Sequence, residues 1–359
     1  MTRANAILLA VFGALVALLV VLEKPWAADR FEAARGRAET LVFPAFEPAK
    51  AASIEIHSKD GAVRLKRGAA GWTVPDLFDY RANEEAIARL LDRVHTMRRA
   101  DLATKDRARH DAYLVTETSA PRVTIRDAGE RAIADFFQGR LWFDPEKAKG
   151  GKVGSLDVYV RPADSDEVYR VSPFDPVPTK TSEWIPRQLF RFDVTAVQTL
   201  VVSGKEVPEP IPLSRQPDGS WTIELGADRH EPANREACEA LARSLSSVFL
   251  DEIVGRYDRA EAAKWGLDAD PPRLHALATL SGGGQAELLV GGDAGQGKAY
   301  ALGGQSKDFV ATVHVSSLES LKPPRAKLVA PPPASAPASV PASGPGGLTR
   351  PPDENGVDK

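Results

Sequence analysis

Gly71-Trp72-Thr73-Val74 and Ser220-Trp221-Thr222-Ile223 are two copies of the stretch that decides the fold of this chain. In both copies the tryptophan follows a turn and opens a run of alternating residues, the pattern of a half-buried β-strand. Alternation also precedes each copy, in Ser53-Ile54-Glu55-Ile56-His57 and in Thr199-Leu200-Val201-Val202. The sequence therefore predicts an internal repeat with a period of about 150 residues.

A helix is predicted after the tryptophan strand in each copy. Asn83 and Asn234 stand at its start, where an asparagine side chain accepts hydrogen bonds from the free N–H groups of the first turn. One helical face is apolar in both copies, with Ile87, Leu90, Leu91, Val94 and Met97 in the first, and Cys238, Leu241, Leu245, Val248 and Phe249 in the second. We expect this face to be buried, with Cys238 as a core residue.

Each copy continues as further strands around a glycine turn, at Phe136-Phe137-Gln138-Gly139 and at Leu288-Leu289-Val290-Gly291. The predicted fold class is α+β, with two tandem repeats that each form a mostly antiparallel sheet with one main amphipathic helix. We place the first repeat at 46–190 and the second at 191–322. The pattern leaves open whether the repeats share one sheet or form two domains.

The amino-terminal end predicts a membrane anchor. An unbroken apolar run extends from Ala6 to Leu22, and with Ala4 and Asn5 a helix there would span roughly 28 Å, close to the hydrocarbon core of a bilayer. A cleaved signal peptide is the alternative, but Trp26 stands where cleavage after Ala28 would need a small residue. We therefore predict a single-pass transmembrane signal-anchor at 1–25 in the cytoplasmic (inner) membrane.

The flanking segments are predicted from composition and charge. A short leader with Arg3 favours the N-inside arrangement, so the bulk would face the periplasm. Residues 26–45 are predicted to form a polar stalk. Residues 323–359 are rich in Pro, Ala, Ser and Gly, which favours a disordered tail.

Composition excludes several classes of function. The formal net charge of −3 provides no basic surface for nucleic acid. Cys238 is the only cysteine, so an intramolecular disulfide and a cysteine-based zinc site are both impossible. The six histidines are scattered without a pair at ligand spacing. We expect no catalytic residue, no cofactor, no metal and no small-molecule ligand.

Four polar motifs are candidates for sites, and each is interpreted as structural. Gly292-Asp-Ala-Gly-Gln-Gly297-Lys298 lacks the Ser or Thr of a phosphate-binding loop, which predicts a hairpin. Asp164-Ser-Asp166-Glu167 lacks the rest of a calcium loop and is interpreted as a solvated hairpin tip. His110-Asp111 is interpreted as a charged surface turn. The basic residues Arg98, Arg99, Lys105, Arg107 and Arg109 are interpreted as a solvated helix end rather than a lipid contact.

The segment between the repeats has no counterpart in the second copy. Phe174-Asp-Pro176-Val-Pro178 and Trp184-Ile185-Pro186 are rich in aromatic residues and proline. This segment predicts either a partner interface or a packed inter-domain linker.

Trp72, Trp221, the capped helix and the element Trp265-Gly266-Leu267 followed by Pro271-Pro272 carry a family resemblance over roughly residues 50–320. The chain resembles the domain-of-unknown-function family 4340 (DUF4340), found in bacterial membrane-anchored proteins. The first copy departs from the Gly-Leu pattern, with Tyr113-Leu114-Val115. The resemblance implies an auxiliary role beside ABC-type transport systems of the gliding-motility type and supplies no catalytic residues.

We therefore expect a membrane-anchored, non-enzymatic accessory or scaffolding component of an ABC-type transport system in the bacterial cell envelope. The expected partners are the membrane and the permease and ATPase subunits, without nucleic acid. The alternative is an extracytoplasmic enzyme or sensor that acts on cell-envelope glycans, which a buried carboxylate pair in a cleft would support.

Overall fold

The structure is a computed structural model that describes residues 40–99, 101–142, 157–172, 174–226, 229–304 and 307–331. These residues form two nine-stranded antiparallel sheets. The strands of the first sheet are β1 (Ser53–Ser58), β2 (Gly61–Gly68), β3 (Gly71–Val74), β4 (Tyr80–Arg81), β5 (Asp101–Thr104), β6 (Arg122–Arg126), β7 (Ala132–Trp142), β8 (Asp157–Pro162) and β9 (Val168–Val171).

The second sheet repeats the first strand by strand. Its strands are β10 (Val197–Ser203), β11 (Ile211–Arg215), β12 (Trp221–Glu224), β13 (His230–Ala233), β14 (Leu250–Arg256), β15 (Leu274–Leu280), β16 (Gln285–Gly295), β17 (Lys298–Gly303) and β18 (Phe309–His314). The strand order is β4-β3-β2-β1-β6-β7-β8-β9-β5 in one sheet and β13-β12-β11-β10-β15-β16-β17-β18-β14 in the other. Adding nine to each strand of the first order gives the second, so the predicted internal repeat and its α+β layout are confirmed.

Five α-helices lie in the described residues, α1 (Glu84–Thr96), α2 (His110–Tyr113), α3 (Arg235–Ser246), α4 (Val315–Leu318) and α5 (Arg325–Leu328). The two long helices, α1 and α3, are the predicted pair. Asn83 Oδ1 accepts a hydrogen bond from the Ala86 N–H at 3.2 Å, and Asn234 Oδ1 accepts one from the Ala237 N–H at 3.3 Å. Both predicted N-caps are confirmed.

The predicted apolar face of each long helix is buried, with one exception. Ile87, Leu90, Leu91 and Val94 of α1 are buried, as are Cys238, Leu241 and Leu245 of α3. Phe249 is instead 52% exposed. The reason is that α3 ends at Ser246, and the following residues pair with the chain between the repeats through a bridge from Gln188 to Phe249.

The segment between the repeats is a packed linker. Phe174, Trp184 and Ile185 are each at most 3% exposed and belong to a hydrophobic cluster that includes core residues of both sheets. The Asn83 N–H donates to the Trp184 carbonyl at 2.6 Å, and the Leu189 N–H donates to the Val248 carbonyl at 2.9 Å. The two sheets are therefore separate, but they share one core through the linker.

Packing continues beyond both predicted ends of the repeats. Val42, expected in the stalk, is buried and donates its N–H to the Met97 carbonyl at 2.8 Å. At the other end, Leu328 is 1% exposed and its carbonyl accepts from the Asn234 N–H at 2.7 Å. The prediction of a disordered tail from Pro323 is therefore wrong for residues 323–331. Besides Leu328, Val329 packs against the core, Arg325 Nη2 donates to Glu231 at 2.9 Å, and the Ala330 N–H donates to the Pro232 carbonyl at 3.0 Å.

The remaining predictions about the ends fall outside the described residues. These are the anchor at 1–25, the stalk up to residue 39 and the tail from residue 332. Within the part of the chain that the structure describes, no helix is both long and apolar enough to span a bilayer.

Candidate functional site

Each sheet has a small second core on the face opposite its long helix. Neighbouring residues of a strand point to opposite faces, and Phe136 packs in the main core while Phe137 packs in the second one. A short helical segment covers this face in each repeat, α2 in the first and the 3-10 helix Arg259–Trp265 in the second. An aromatic ring of this segment packs at an angle against a tyrosine: the Tyr113 and Tyr159 centroids are 4.8 Å apart at 59° in the first copy, and those of Trp265 and Tyr300 are 4.9 Å apart at 68° in the second.

The covering segments have the same backbone conformation, so residues of one segment can be matched to residues of the other. Leu114 follows Tyr113 with φ 54°, and Gly266 follows Trp265 with φ 61°, both left-handed. The departure Tyr113-Leu114-Val115 therefore preserves the backbone shape with a residue that adopts it less readily than glycine. The Val115 N–H donates to the His110 carbonyl at 3.2 Å.

The same backbone hydrogen bond in the second repeat identifies the counterpart of His110. There the Leu267 N–H donates to the Ala262 carbonyl at 3.0 Å. Ala262 therefore corresponds to His110, which is buried at 4% exposure. The interpretation of His110 as a surface turn is wrong, because its side chain is buried against the hairpin between β8 and β9.

Strand pairing identifies a second substitution between the copies. Arg161 of β8 is opposite Phe137 of β7, and Leu302 of β17 is opposite Leu289 of β16. Arg161 is 8% exposed. The first repeat therefore has a buried histidine and a buried arginine where the second has an alanine and a leucine.

These two residues line a cavity of about 520 Å³ that we call the repeat-one cavity. Its walls come from α2 and the turn before it, the loop after α2, and the hairpin between β8 and β9. Its lining residues are Arg107, His110, Thr116, Glu117, Thr118, Arg161, Ala163, Asp164, Ser165 and Asp166. Its volume is within the range of small-molecule sites.

Backbone carbonyls hold the Arg161 guanidinium. Nε donates to the Val115 carbonyl at 3.0 Å, and Nη1 donates to the Ser165 carbonyl at 3.1 Å. The guanidinium also lies over the Phe137 ring, 4.3 Å from its centroid. Burial lowers the pKa of Arg161, while the charges of Asp166 and Glu117 act in the opposite direction.

His110 holds the same hairpin. Its Nε2 lies 2.9 Å from the Asp166 carbonyl oxygen. A carbonyl oxygen only accepts, so Nε2 carries the hydrogen and donates. Arg161 and His110 thus form the floor of the cavity, and both hold the turn at residues 163–166.

Carboxylates form the rim. Glu117, Asp164 and Asp166 are exposed, and the predicted hairpin tip at 164–167 is confirmed between β8 and β9. Glu167 is turned to Lys105, whose Nζ lies 2.6 Å from its Oε1. The Lys105 and Tyr169 hydrogen bonds lower the pKa of Glu167. Among the described residues no three His, Cys, Asp or Glu side chains are grouped to hold a metal ion.

The other motifs have structural roles. The glycine-rich run is the predicted hairpin between β16 and β17, where Lys298 Nζ lies 2.5 Å from Asp251 Oδ2. Within the basic stretch, Arg109 lies over the Tyr113 ring and Arg107 reaches the repeat-one cavity. Cys238 is fully buried, and burial raises the pKa of its thiol to about 11.

The sequence indicates parts of the cavity but not its floor. His110 and the turn at 164–167 stand out as separate polar motifs, whereas Arg161 does not stand out. One signal for it is present in the sequence. When β8 is aligned with β17, Arg161 corresponds to Leu302, a position that should face a core.

Comparison with known proteins identifies the family. The model of the family Domain of unknown function (DUF4340) matches residues 72–269, from the first tryptophan strand into the covering segment of the second repeat. Searches of curated proteins and of solved structures gave no match. Because the family model matches more than half of the 359 residues, this chain belongs to the DUF4340 family.

Proposed function

We propose that the chain is a membrane-anchored, non-enzymatic accessory or scaffolding component of an ABC-type transport system in the bacterial cell envelope, with its body in the periplasm. The observation that carries the proposal is that the described part of the chain buries a single carboxylate rather than a pair. Asp157 is the only buried Asp or Glu in the described part of the chain, and Arg170 Nε lies 3.7 Å from its Oδ2. A glycan-cleaving acid pair needs two carboxylates in a cleft, one of them with a raised pKa.

The direction of the resolved pKa shifts supports the same proposal. Every described carboxylate with a resolved shift has its pKa lowered, and these are Glu167, Asp193, Glu206, Asp218, Glu239, Asp251 and Glu287. For Asp251 the cause is first its hydrogen bond with Lys298. For Asp193 and Asp218 the first causes are hydrogen bonds from Thr195 and Ser220. Carboxylates whose pKa is lowered are ionised near neutral pH and do not act as proton donors there.

A groove between the two repeats is a candidate docking surface for a partner. The inter-repeat groove has a volume of about 340 Å³ and is lined by Arg81, Pro186, Arg187, Gln188, Arg191 and Phe249. Gln188 Nε2 donates to the Ser246 carbonyl at 2.7 Å, which holds the linker against the end of α3. Aromatic residues and arginines are enriched among the residues that contribute most to binding at protein interfaces. We expect an acidic segment of a transport subunit with an apolar side chain to dock here.

The first test is co-purification of the tagged full-length chain from its native membrane in mild detergent, with partners identified by mass spectrometry. The proposal predicts recovery of ABC permease and ATPase subunits. Recovery of none, under conditions in which a known membrane complex survives, would contradict it.

Two variants test the groove separately. Phe249→Ser should reduce recovery of the transport subunits, since it removes the exposed ring. Leu225→Ser is the matched control, because Leu225 is 38% exposed but does not line the groove. If Phe249→Ser retains the subunits, the groove is not the docking surface, although the accessory role stands.

A further inference from the structure

The repeat-one cavity contains a buried positive charge without an ion pair. Among the described residues no carboxylate oxygen lies within 4.0 Å of the Arg161 guanidinium, and its hydrogen bonds go from Nε and Nη1 to the carbonyls of Val115, Pro162 and Ser165. No described residue accepts from Nη2. A buried cation is unfavourable unless an anion or hydrogen-bond acceptors compensate it, so Nη2 can still bind a ligand.

The second repeat shows that the fold does not require this charge. The equivalent covering segment closes over β17 with Ala262 and Leu302 in place of His110 and Arg161. Both copies have the same strand order, the left-handed turn and a pair of aromatic rings that contact at an angle. The polar floor is therefore an addition to a scaffold that also forms with apolar residues.

The positions of the charged side chains in the cavity indicate which class of ligand it can bind. Arg161 lies at the buried floor, whereas Glu117, Asp164 and Asp166 are exposed at the rim, where Arg107 is the other arginine of the lining. A metal ion at the floor would be repelled by Arg161. A phosphate dianion would meet three carboxylates at the rim, whereas a ligand with one carboxylate and one ammonium group matches both ends.

We propose that the repeat-one cavity binds a small zwitterionic ligand of the amino-acid or short-peptide class, with its carboxylate on Arg161 Nη2 and its ammonium group among the carboxylates of Glu117, Asp164 and Asp166. Thr116 and Thr118 provide hydroxyl groups along the wall between the two ends. A volume of about 520 Å³ has room for a dipeptide. The proposal does not depend on the transport role.

Saturation-transfer NMR on the full-length chain in detergent micelles tests the proposal with a set of four probes. L-alanyl-L-alanine carries both charges, N-acetyl-L-alanine lacks the ammonium group, L-alanine amide lacks the carboxylate, and inorganic phosphate, followed by its phosphorus line width, is a plain anion. We expect the dipeptide to bind, both single-charge probes to bind about tenfold more weakly or worse, and phosphate not to bind. Binding of phosphate in preference to the dipeptide would overturn the proposal.

Two variants connect binding to the cavity. Arg161→Leu introduces the residue of the second repeat and should weaken dipeptide binding by about tenfold or more. Arg140→Leu is its control, since Arg140 lies over Tyr159 on the same sheet face but does not line the cavity. Glu117→Gln changes only an exposed rim residue and should weaken binding of the dipeptide severalfold. It should not weaken the binding of N-acetyl-L-alanine, which has no ammonium group for Glu117 to attract.

The outcomes separate a ligand site from a structural device. If Arg161→Leu does not fold, Glu117→Gln alone decides the question, because an exposed substitution leaves the core intact. Unchanged dipeptide binding in a folded Arg161→Leu or in Glu117→Gln would overturn the proposal. So would the absence of saturation transfer from the folded wild-type chain to the dipeptide.

Discussion

Arg161 and Leu302 occupy equivalent strand positions in the two sheets, opposite Phe137 and Leu289 respectively. One side chain is a buried cation at the floor of a cavity, and the other packs in an apolar cluster. The two repeats therefore provide an internal comparison, because the same fold tolerates both side chains. The difference concerns the chemistry of one face rather than the architecture of the sheet.

The double variant His110→Ala/Arg161→Leu should change the free energy of unfolding by less than about 1 kcal/mol. The second repeat forms the same fold with Ala262 and Leu302 at these positions, and water in the cavity can hydrogen-bond the carbonyls that lose their donors. Urea unfolding of the full-length chain followed by tryptophan fluorescence measures the change. A loss above about 3 kcal/mol would contradict this prediction and show that the fold depends on the hydrogen bonds from His110 and Arg161 to the hairpin between β8 and β9.

Gly291→Ala should destabilise the chain by about 2–3 kcal/mol. A Cβ at this position would lie 2.4 Å from the Trp265 carbonyl oxygen, and a backbone atom cannot move aside as a flexible side chain can. Gly284→Ala is the control, since its nearest contact would be an ordinary 3.6 Å to Leu280 Cδ1. Equal urea midpoints for the two variants would contradict the close approach of the covering segment to β16.

Truncation should show that residues 323–331 stabilise the second repeat and that the residues after 331 do not. A chain that ends at residue 331 should unfold at the wild-type temperature, whereas a chain that ends at residue 322 should lose the burial of Leu328 and two backbone hydrogen bonds to β13 and its neighbour Asn234. Leu328→Ala should by itself cost about 2–4 kcal/mol. Identical thermal midpoints for both truncations would show that residues 323–331 do not stabilise the second repeat.

Protonation of Glu206 should lower the stability of the folded chain at acidic pH. Its Oε1 accepts from Arg273 Nε at 2.6 Å and its Oε2 from Lys322 Nζ at 2.8 Å. Burial raises the pKa of Glu206, but these hydrogen bonds outweigh burial and hold the pKa below its usual range. A lowered folded pKa gives stability that is complete above the unfolded value of about 4.3 and disappears as the pH falls through the folded value.

Glu206→Gln should therefore lower the unfolding temperature at pH 7 and flatten its decline between pH 5 and pH 3, as measured by circular dichroism. Glu319→Gln removes a carboxylate that also contacts Lys322 but is 64% exposed, so its effect should be smaller. A decline in acid that is the same in Glu206→Gln as in the wild type would contradict this assignment.

The Cys238 thiol should not react in the folded chain. Burial raises its pKa to about 11, and its side chain packs in the core at 0% exposure. Only the thiolate is nucleophilic, so a thiol reagent at pH 8 should label the chain in urea and leave the folded chain unmodified. Rapid labelling without denaturant would mean that α3 opens readily.

The repeat, the helix caps and the helix faces can be predicted because they depend on neighbours in sequence. Asn83 and Asn234 cap their own first turns, and a period of 3.6 decides which side chains face the core. The prediction is wrong for Phe249, because the end of α3 is decided by a bridge to Gln188, 61 positions earlier in the chain. It is also wrong at 323–331, where composition averaged over the tail conceals the contribution of Leu328.

The sequence by itself determined that this chain is built from two copies of one α+β unit, since alternation, capping and the two tryptophans are local signals that each copy repeats. Only the tertiary structure decided that His110 and Arg161 meet beneath the turn at 163–166. The reason is that sheet pairing and the left-handed turn at Leu114 bring β8 and α2 together. Neither of these features produces a periodic pattern in the sequence. Burial of a polar side chain depends on what covers it, and here the cover lies about 50 residues away in sequence.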